Sequence, residues 1–338
     1  MSARAAAILV ALLVALGGGA WLYQRQQAAS RPADAQVLGQ KIFPDLKAAD
    51  IASIRIASSG ATLTLQRKED GWAIAERGGF PADAAKVREF VIQAIGLKVG
   101  QSEPIGEKDR ARLNLDQSGT QLEFAGADGK PLAKLAIGKK YFKREPESAD
   151  PAPGDGRFVQ RPDQPGTVYV VGDPLTQASV RSADWIDRGA FKVEKVKSLE
   201  VRYPDGSGYR IERSGDNADW KLAAAKGGEK VDAGKANAAS YSLSLLELAD
   251  VVPDDAKDQN TGLDKPILVN ATTLAGSTYA IKVGRLEGDN YFVSFTTTST
   301  EPKDKALASR VLLVPKAKLE DTLKPRAELL QKKQDTKK

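Results

Sequence analysis

The feature that most limits what this chain can fold into is an ordered internal correspondence. Ser53-Ile54-Arg55-Ile56 is answered by Ser198-Leu199-Glu200-Val201, an offset of 198 − 53 = 145 residues. Leu65-Gln66-Arg67 is answered by Ile211-Glu212-Arg213 at 146, Trp72 by Trp220 at 148 and Asp83 by Asp232 at 149. Asn114-Leu115-Asp116 pairs with Gly262-Leu263-Asp264 at 148, and Ile137-Gly138-Lys139 with Val283-Gly284-Arg285 at 146. Six signposts in one order, with so little drift, predict two tandem copies of one unit.

Local patterning makes that unit α+β. Residues 51–56 and 61–66 alternate as strands around a Ser-Ser-Gly turn, and Gly71-Trp72-Ala73-Ile74 begins a third. Pro81-Ala82-Asp83 opens a helix to about Leu97, with Val87, Phe90, Val91 and Ala94 at helical spacing. Further strands are predicted over 121–124, 133–137, 157–160 and 167–171, the first two joined at Asp128-Gly129. The expected division is residues 1–4 cytoplasmic, 5–23 a transmembrane anchor, 24–40 a linker, 41–182 and 183–316 the two β-rich repeats, each with a packed helix. A charged helix and tail over 317–338 complete it, with Leu319, Leu323, Ala327 and Leu330 on one face. Asp184-Trp185-Ile186-Asp187-Arg188 is expected to open the second repeat. Trp72, Trp185 and Trp220 are expected to pack in cores or interfaces, with ligand stacking the alternative.

Two absences exclude whole classes of chemistry. Without histidine the chain lacks the commonest neutral-pH acid–base group and transition-metal ligand. Without cysteine it has no disulfide, thiolate zinc site, cysteine nucleophile or cysteine-linked lipid anchor. The formal charge is 50 − 44 = +6. Residues 316–338 hold eight Lys/Arg against four acids and supply +4 of it, so the body is nearly balanced. That is a poor electrostatic footprint for nucleic acid, which is not expected as a partner.

Ala5 to Tyr23 is a run of 19 residues without a charge. As a helix rising about 1.5 Å per residue it spans a hydrocarbon core of about 30 Å, with Trp21 and Tyr23 at its outer end. Membrane lipid is therefore an expected partner through residues 5–23. A signal peptide cleaved near Gly18-Gly19-Ala20 and a buried core helix are the alternatives. Flanking charge does not set the orientation. The N-in choice, with the bulk of the chain periplasmic, follows signal-anchor behaviour.

The ordered set Ser53-Ile54-Arg55-Ile56, Gly71-Trp72, Asn114-Leu115-Asp116, Ile137-Gly138, Val168-Tyr169-Val170-Val171 and Asp184-Trp185-Ile186 resembles a bacterial family known as domain of unknown function 4340 (DUF4340). The resemblance covers most of the chain after residue 23. It implies a single-pass protein of the bacterial inner membrane, in a family whose genes often neighbour ABC-transporter components of the gliding-motility type. An accessory or scaffold role at the envelope follows. The family brings no established catalytic residues.

No other motif carries chemistry. Gly17-Gly18-Gly19 sits in the apolar run without the strand and lysine of a phosphate loop. Asp254-Asp255 with Asp258 lacks the ligand alternation of a calcium loop. No Ser-x-x-Lys lies in a strand-to-helix setting, Thr296 to Thr300 reads as a strand end and loop, and Pro146 to Gly156 as a solvated loop. The expectation is therefore no catalytic, cofactor-binding or metal site and no cofactor. The chain reads as a non-enzymatic scaffold presenting β-edges and loops to membrane or envelope proteins. A periplasmic glycan- or lipid-binding module and a histidine-free hydrolase are the alternatives. N-terminal sequencing of the mature protein tests the anchor: residues 5–23 are expected to be retained, and a chain beginning at Trp21 contradicts this.

Overall fold

The computed structural model describes residues 37–143, 154–253, 260–308 and 310–331. The apolar run 5–23, the Asp254–Asp258 cluster and most of the loop 146–156 lie outside them. The architecture is two large antiparallel sheets with few helices. Among the described residues no helix is long and apolar enough to cross a membrane.

The first sheet holds nine strands: β1 (Ser53–Ser58), β2 (Ala61–Lys68), β3 (Gly71–Ile74), β4 (Phe80–Ala82), β5 (Val99–Pro104), β6 (Thr120–Ala125), β7 (Pro131–Tyr141), β8 (Gly156–Gln160) and β9 (Thr167–Val171). Its helices are α1 (Ala84–Gly96) and α2 (Glu107–Arg112). The second sheet holds β10 (Val196–Arg202), β11 (Gly208–Glu212), β12 (Lys221–Leu222), β13 (Asp250–Val251), β14 (Ile267–Thr273), β15 (Thr278–Glu287), β16 (Asn290–Thr297) and β17 (Leu312–Pro315). With it come α3 (Ala233–Tyr241), α4 (Pro302–Leu307), α5 (Lys316–Leu319) and α6 (Arg326–Leu329).

The chain divides into two compact units. One comprises the described residues up to Ala61 with Phe90–Ala178, the other Thr62–Glu89 with Ser179–Lys338 as far as described. In the first, the strand order is β1-β6-β7-β8-β9-β5, and Phe124 packs edge-on to Phe43 and tilted to Phe90 at 6.1 and 6.4 Å between ring centroids. In the second, the order β12-β11-β10-β14-β15-β16-β17-β13 encloses Phe191 stacked on Phe295 at 4.0 Å. The run β10-β14-β15-β16-β17-β13 follows the order β1-β6-β7-β8-β9-β5 strand for strand.

The helices correspond residue by residue. Asp83 caps α1 by accepting from the amides of Ala85 and Lys86 at 2.9 and 3.2 Å, and Asp232 caps α3 by accepting from Lys235 at 3.1 Å. At an offset of 149 the buried positions match: Val87 with Ala236, Phe90 with Ala239, Val91 with Ser240, Ala94 with Leu243 and Leu97 with Leu246. The side-chain stripe facing each core is thus the same, although α3 fills it with smaller residues.

The shared signposts Asn114-Leu115 with Gly138, and Gly262-Leu263 with Gly284, form one device built twice. Asn114 and Gly262 both have left-handed backbone, φ 56° and 67°, a region open to glycine and tolerated by asparagine. The turn they make lets the carbonyl of Leu113 accept from the Lys139 amide, and that of Thr261 from the Arg285 amide, each at 2.9 Å. Both acceptances fall where the sheet register slips, between Ile137 and Lys140 and between Val283 and Leu286. A β-bulge there leaves an amide without a ladder partner, and the turn supplies one. Glycine is required beneath it. A Cβ at Gly138 would stand 2.3 Å from the Leu113 oxygen, and one at Gly284 2.2 Å from the Thr261 oxygen.

One sequence expectation is corrected. Leu319 to Leu330 is not a single amphipathic helix but α5 and α6, separated by a turn ending at Pro325. Proline has no amide to donate and pushes the preceding residue out of helical backbone. Leu330 instead bridges Val231, while the hydroxyls of Tyr209 and Tyr203 donate to the carbonyls of Thr322 and Leu323 at 2.6 Å each.

The glycine locks give the fold's test. Gly138→Ala and Gly284→Ala are expected to destabilise by about 1–3 kcal/mol through overpacking against fixed backbone. Gly166→Ala, with nothing within 4 Å of the added atom, is expected to be near neutral. Denaturant titration of the three variants checks the ranking.

Candidate interaction surface

An exposed strand edge is a template for pairing with another chain. The expectation that this chain offers β-edges meets edge strands that are strapped, bulged or short. Beside β4, which carries Pro81, the amide of Asp187 donates to the Pro81 carbonyl and that of Asp83 to Trp185, at 3.0 and 2.7 Å. β12 has two residues, and beyond it Gln331 donates to Lys230 and Asp232 to Leu329, at 2.9 and 2.8 Å. β5 is bulged between Val99 and Gln101 and is flanked by Gly39 and Gln40, which exchange backbone hydrogen bonds with Val99. β13 has two residues.

Ionisable groups with displaced equilibria sit mainly in turns and ion pairs. Hydrogen bonds from Ser118 hold the Asp116 carboxyl below the usual range, and those from Ser207 do the same for Asp205. The Arg161 guanidinium lowers Asp163, and that of Arg181 lowers Asp184, which also accepts from the Ser179 hydroxyl at 2.6 Å. Burial pushes the hydroxyls of Tyr203, Tyr209 and Tyr279 up. No group of three or more potential metal-ligating side chains occurs among the described residues.

The tryptophans anchor structure. Trp185 is buried and donates its indole N–H to the Ser179 carbonyl at 2.9 Å. Trp72 and Trp220 each lie under an arginine, Arg67 at 5.2 Å and Arg213 at 4.8 Å from the ring centroid, in matching positions of the two sheets. Trp220 also donates to the Asn237 side chain at 2.8 Å, tying the hairpin of β11 and β12 to α3.

What remains outward is the solvent face of the helices. Ile92 on α1 is 62% exposed, and Tyr241, its counterpart at an offset of 149 on α3, is 61% exposed; Leu245, one turn on, is 51% exposed. Beside Tyr241 lies an open cavity of about 500 Å³ between residues 192–196, Arg213 and the outer face of α3. A second depression of about 540 Å³, over Lys197, Arg210 and Lys221, lies on the opposite face of the sheet and shares Arg213. In the first unit a cavity of about 310 Å³ lies among residues 42–46, 131–134 and 161–163. Its guanidinium, Arg161, is occupied by Asp163 and the Ile42 carbonyl.

No sequence motif pointed to Tyr241, Leu245 or the lysines around them. The one legible signal is the comparison of the two helices at fixed offset, which leaves an apolar residue on the polar face twice.

Two large antiparallel sheets with capped helices define a β-rich α+β architecture. The chain belongs to the family described as Domain of unknown function (DUF4340), which matches residues 72–266, more than half of its length. No curated protein and no solved structure matches it.

The Asp184 ion pair makes a pH prediction. A carboxyl lowered on folding stabilises above the unfolded value of about 3.9 and loses that contribution as pH falls through its folded value. Asp184→Asn is expected to cost about 1 kcal/mol at pH 7, modest because Arg181 is exposed. The difference from the parent should close below about pH 4 in paired thermal melts.

Proposed function

We propose that this chain is a non-enzymatic scaffold of the bacterial envelope. It is tethered through residues 5–23 as a single-pass protein of the inner membrane, with its bulk in the periplasm. The body consists of two copies of one α+β unit, over 41–182 and 183–316, which engage membrane or envelope proteins, with subunits of an ABC-type transporter the leading candidates. The apolar run, the family's character and the matched strand orders support this reading.

The observation that carries it is the outward apolar side chain at the same helical position in both sheets, Ile92 and Tyr241. Isolated exposed apolar residues are ordinary on protein surfaces. Recurrence at equivalent positions of two sequences that otherwise diverge, as isoleucine and as tyrosine, favours a surface that is covered in the assembled state. With β4 strapped and the other edge strands bulged or short, side-chain recognition by the helices and loops is the mode of binding.

Crosslinking the native membrane fraction, with mass-spectrometric identification of captured chains, tests the proposal. Discrete envelope partners are expected, with capture reduced at least tenfold in the double variant Ile92→Asp, Tyr241→Asp. Recovery of no partner overturns the scaffold reading.

A further inference from the structure

The trough beside Tyr241 carries more information than its exposed ring. Its lining carries three cations, Lys192, Lys195 and Arg213, and two acids, Glu194 and Asp216. Arg213 pairs with Asp216 at 3.0 Å. Two lysines are left against Glu194 alone. Both are exposed, and neither forms an ion pair among the described residues. The lysines sit on a rigid floor. Arg213 is stacked on Trp220 and donates from Nε to the Val196 carbonyl at 2.8 Å, and Ser244 donates to the Val193 carbonyl at 3.0 Å. Lys195 is held in left-handed backbone at φ 50°, an unfavourable state for a side chain with a Cβ, by a strand connection whose next bond runs from the Leu274 amide to the Lys195 carbonyl at 2.8 Å.

α3 and the turn after it differ from α1 along this wall. At an offset of 149, Ser240 stands for Val91, Tyr241 for Ile92, Ser244 for Ile95 and Leu245 for Gly96. Ser240 and Val91 are both buried, and Ser244 and Ile95 are both half-buried; the two hydroxyls donate to the Asn237 and Val193 carbonyls at 3.0 Å each. Along the wall of the trough, α3 and the turn that continues it have therefore exchanged two aliphatic side chains for hydroxyls. They have also gained an aromatic ring and, in place of a glycine, a leucine.

We propose that this trough binds an acidic peptide segment carrying an apolar or aromatic side chain. Lys192 and Lys195 receive its carboxylates and Tyr241 with Leu245 receive the apolar group; the inference rests on the scaffold reading. Tyrosine beside a polar rim is the composition of protein-binding hot spots, and a positive trough steers a negative partner while rejecting others. An open, polar-rimmed cavity suits an extended chain better than a compact small molecule, for which sites are mostly apolar and enclosed. A single exposed ring gives no ladder for stacking successive bases, which sets nucleic acid aside.

The test places a photoreactive phenylalanine analogue at Tyr241, and separately at Ile92, in the full-length chain within its own cells, and maps the crosslinked peptides. At Tyr241 the adduct is expected on a segment rich in Asp and Glu, and Lys192→Glu, Lys195→Glu is expected to reduce it at least tenfold without reducing the adduct at Ile92. The mapped segment, made as a synthetic peptide, should bind the purified full-length chain with affinity that falls as salt rises. Lys192→Gln, Lys195→Gln, which removes charge without reversing it, should give an intermediate loss. A Tyr241 adduct on a non-acidic segment, on a polysaccharide or on nucleic acid overturns the proposal and leaves the scaffold reading standing. So does one that persists after charge reversal in a chain whose melting temperature is unchanged. Absence of adducts at both positions overturns both.

Discussion

The hydrogen bond from the amide of Lys139 to the Leu113 carbonyl, and its counterpart from Arg285 to Thr261, is the contact on which each long strand depends. β7 and β15 are the longest strands of their sheets, and each must change register partway along. A bulge alone would leave buried backbone polar groups unmatched, at a cost comparable to a lost hydrogen bond for each. The turn at Asn114 or Gly262 meets that need, and the absence of a Cβ at Gly138 or Gly284 lets the turn approach. The most recognisable motifs of the chain are therefore a backbone repair, repeated.

Much of the fold is legible in the sequence where period and punctuation agree. Residues 61–66 alternate and form β2, Asp128-Gly129 makes the turn between β6 and β7, and Asp83 caps α1. β5 is not legible, because Val99-Gly100-Gln101-Ser102-Glu103-Pro104 has neither alternation nor an apolar run. Pairing with the apolar β9 defines it. The C-terminal periodicity of Leu319, Leu323, Ala327 and Leu330 misleads for the opposite reason. Leu319 and Leu329 are buried, but Pro325 divides the segment and tyrosine hydroxyls hold its carbonyls from outside. The candidate surface is the least legible part. It is made of lysines, serines and one tyrosine drawn from 192–197, 213–221 and 237–245, none in a motif, and only the alignment of α1 with α3 brings Tyr241 forward.

The electrostatic character of the chain separates along the same lines. Lowered carboxylates such as Asp116, Asp128 and Asp205 serve turns, accepting from the backbone two residues on, and their charge is satisfied locally. The lysines of the trough are different in kind, since they form no ion pair among the described residues. A nearly neutral body can thus carry a local positive field, and net charge alone conceals it.

The strapping of the sheet edges has a consequence for a chain that carries two similar sheets. Corresponding segments are candidates for exchange during folding, either within one chain or between neighbours, and shared strand order makes the wrong partner geometrically acceptable. The straps bond the backbone at equivalent places, flanking Ala82 and Val231, yet they read Trp185-Ile186-Asp187 in one case and Leu329-Leu330-Gln331 in the other. Trp185 has its own acceptor at Ser179, six residues back along the same strap. Different side chains at equivalent straps disfavour the exchange that shared strand order would otherwise allow.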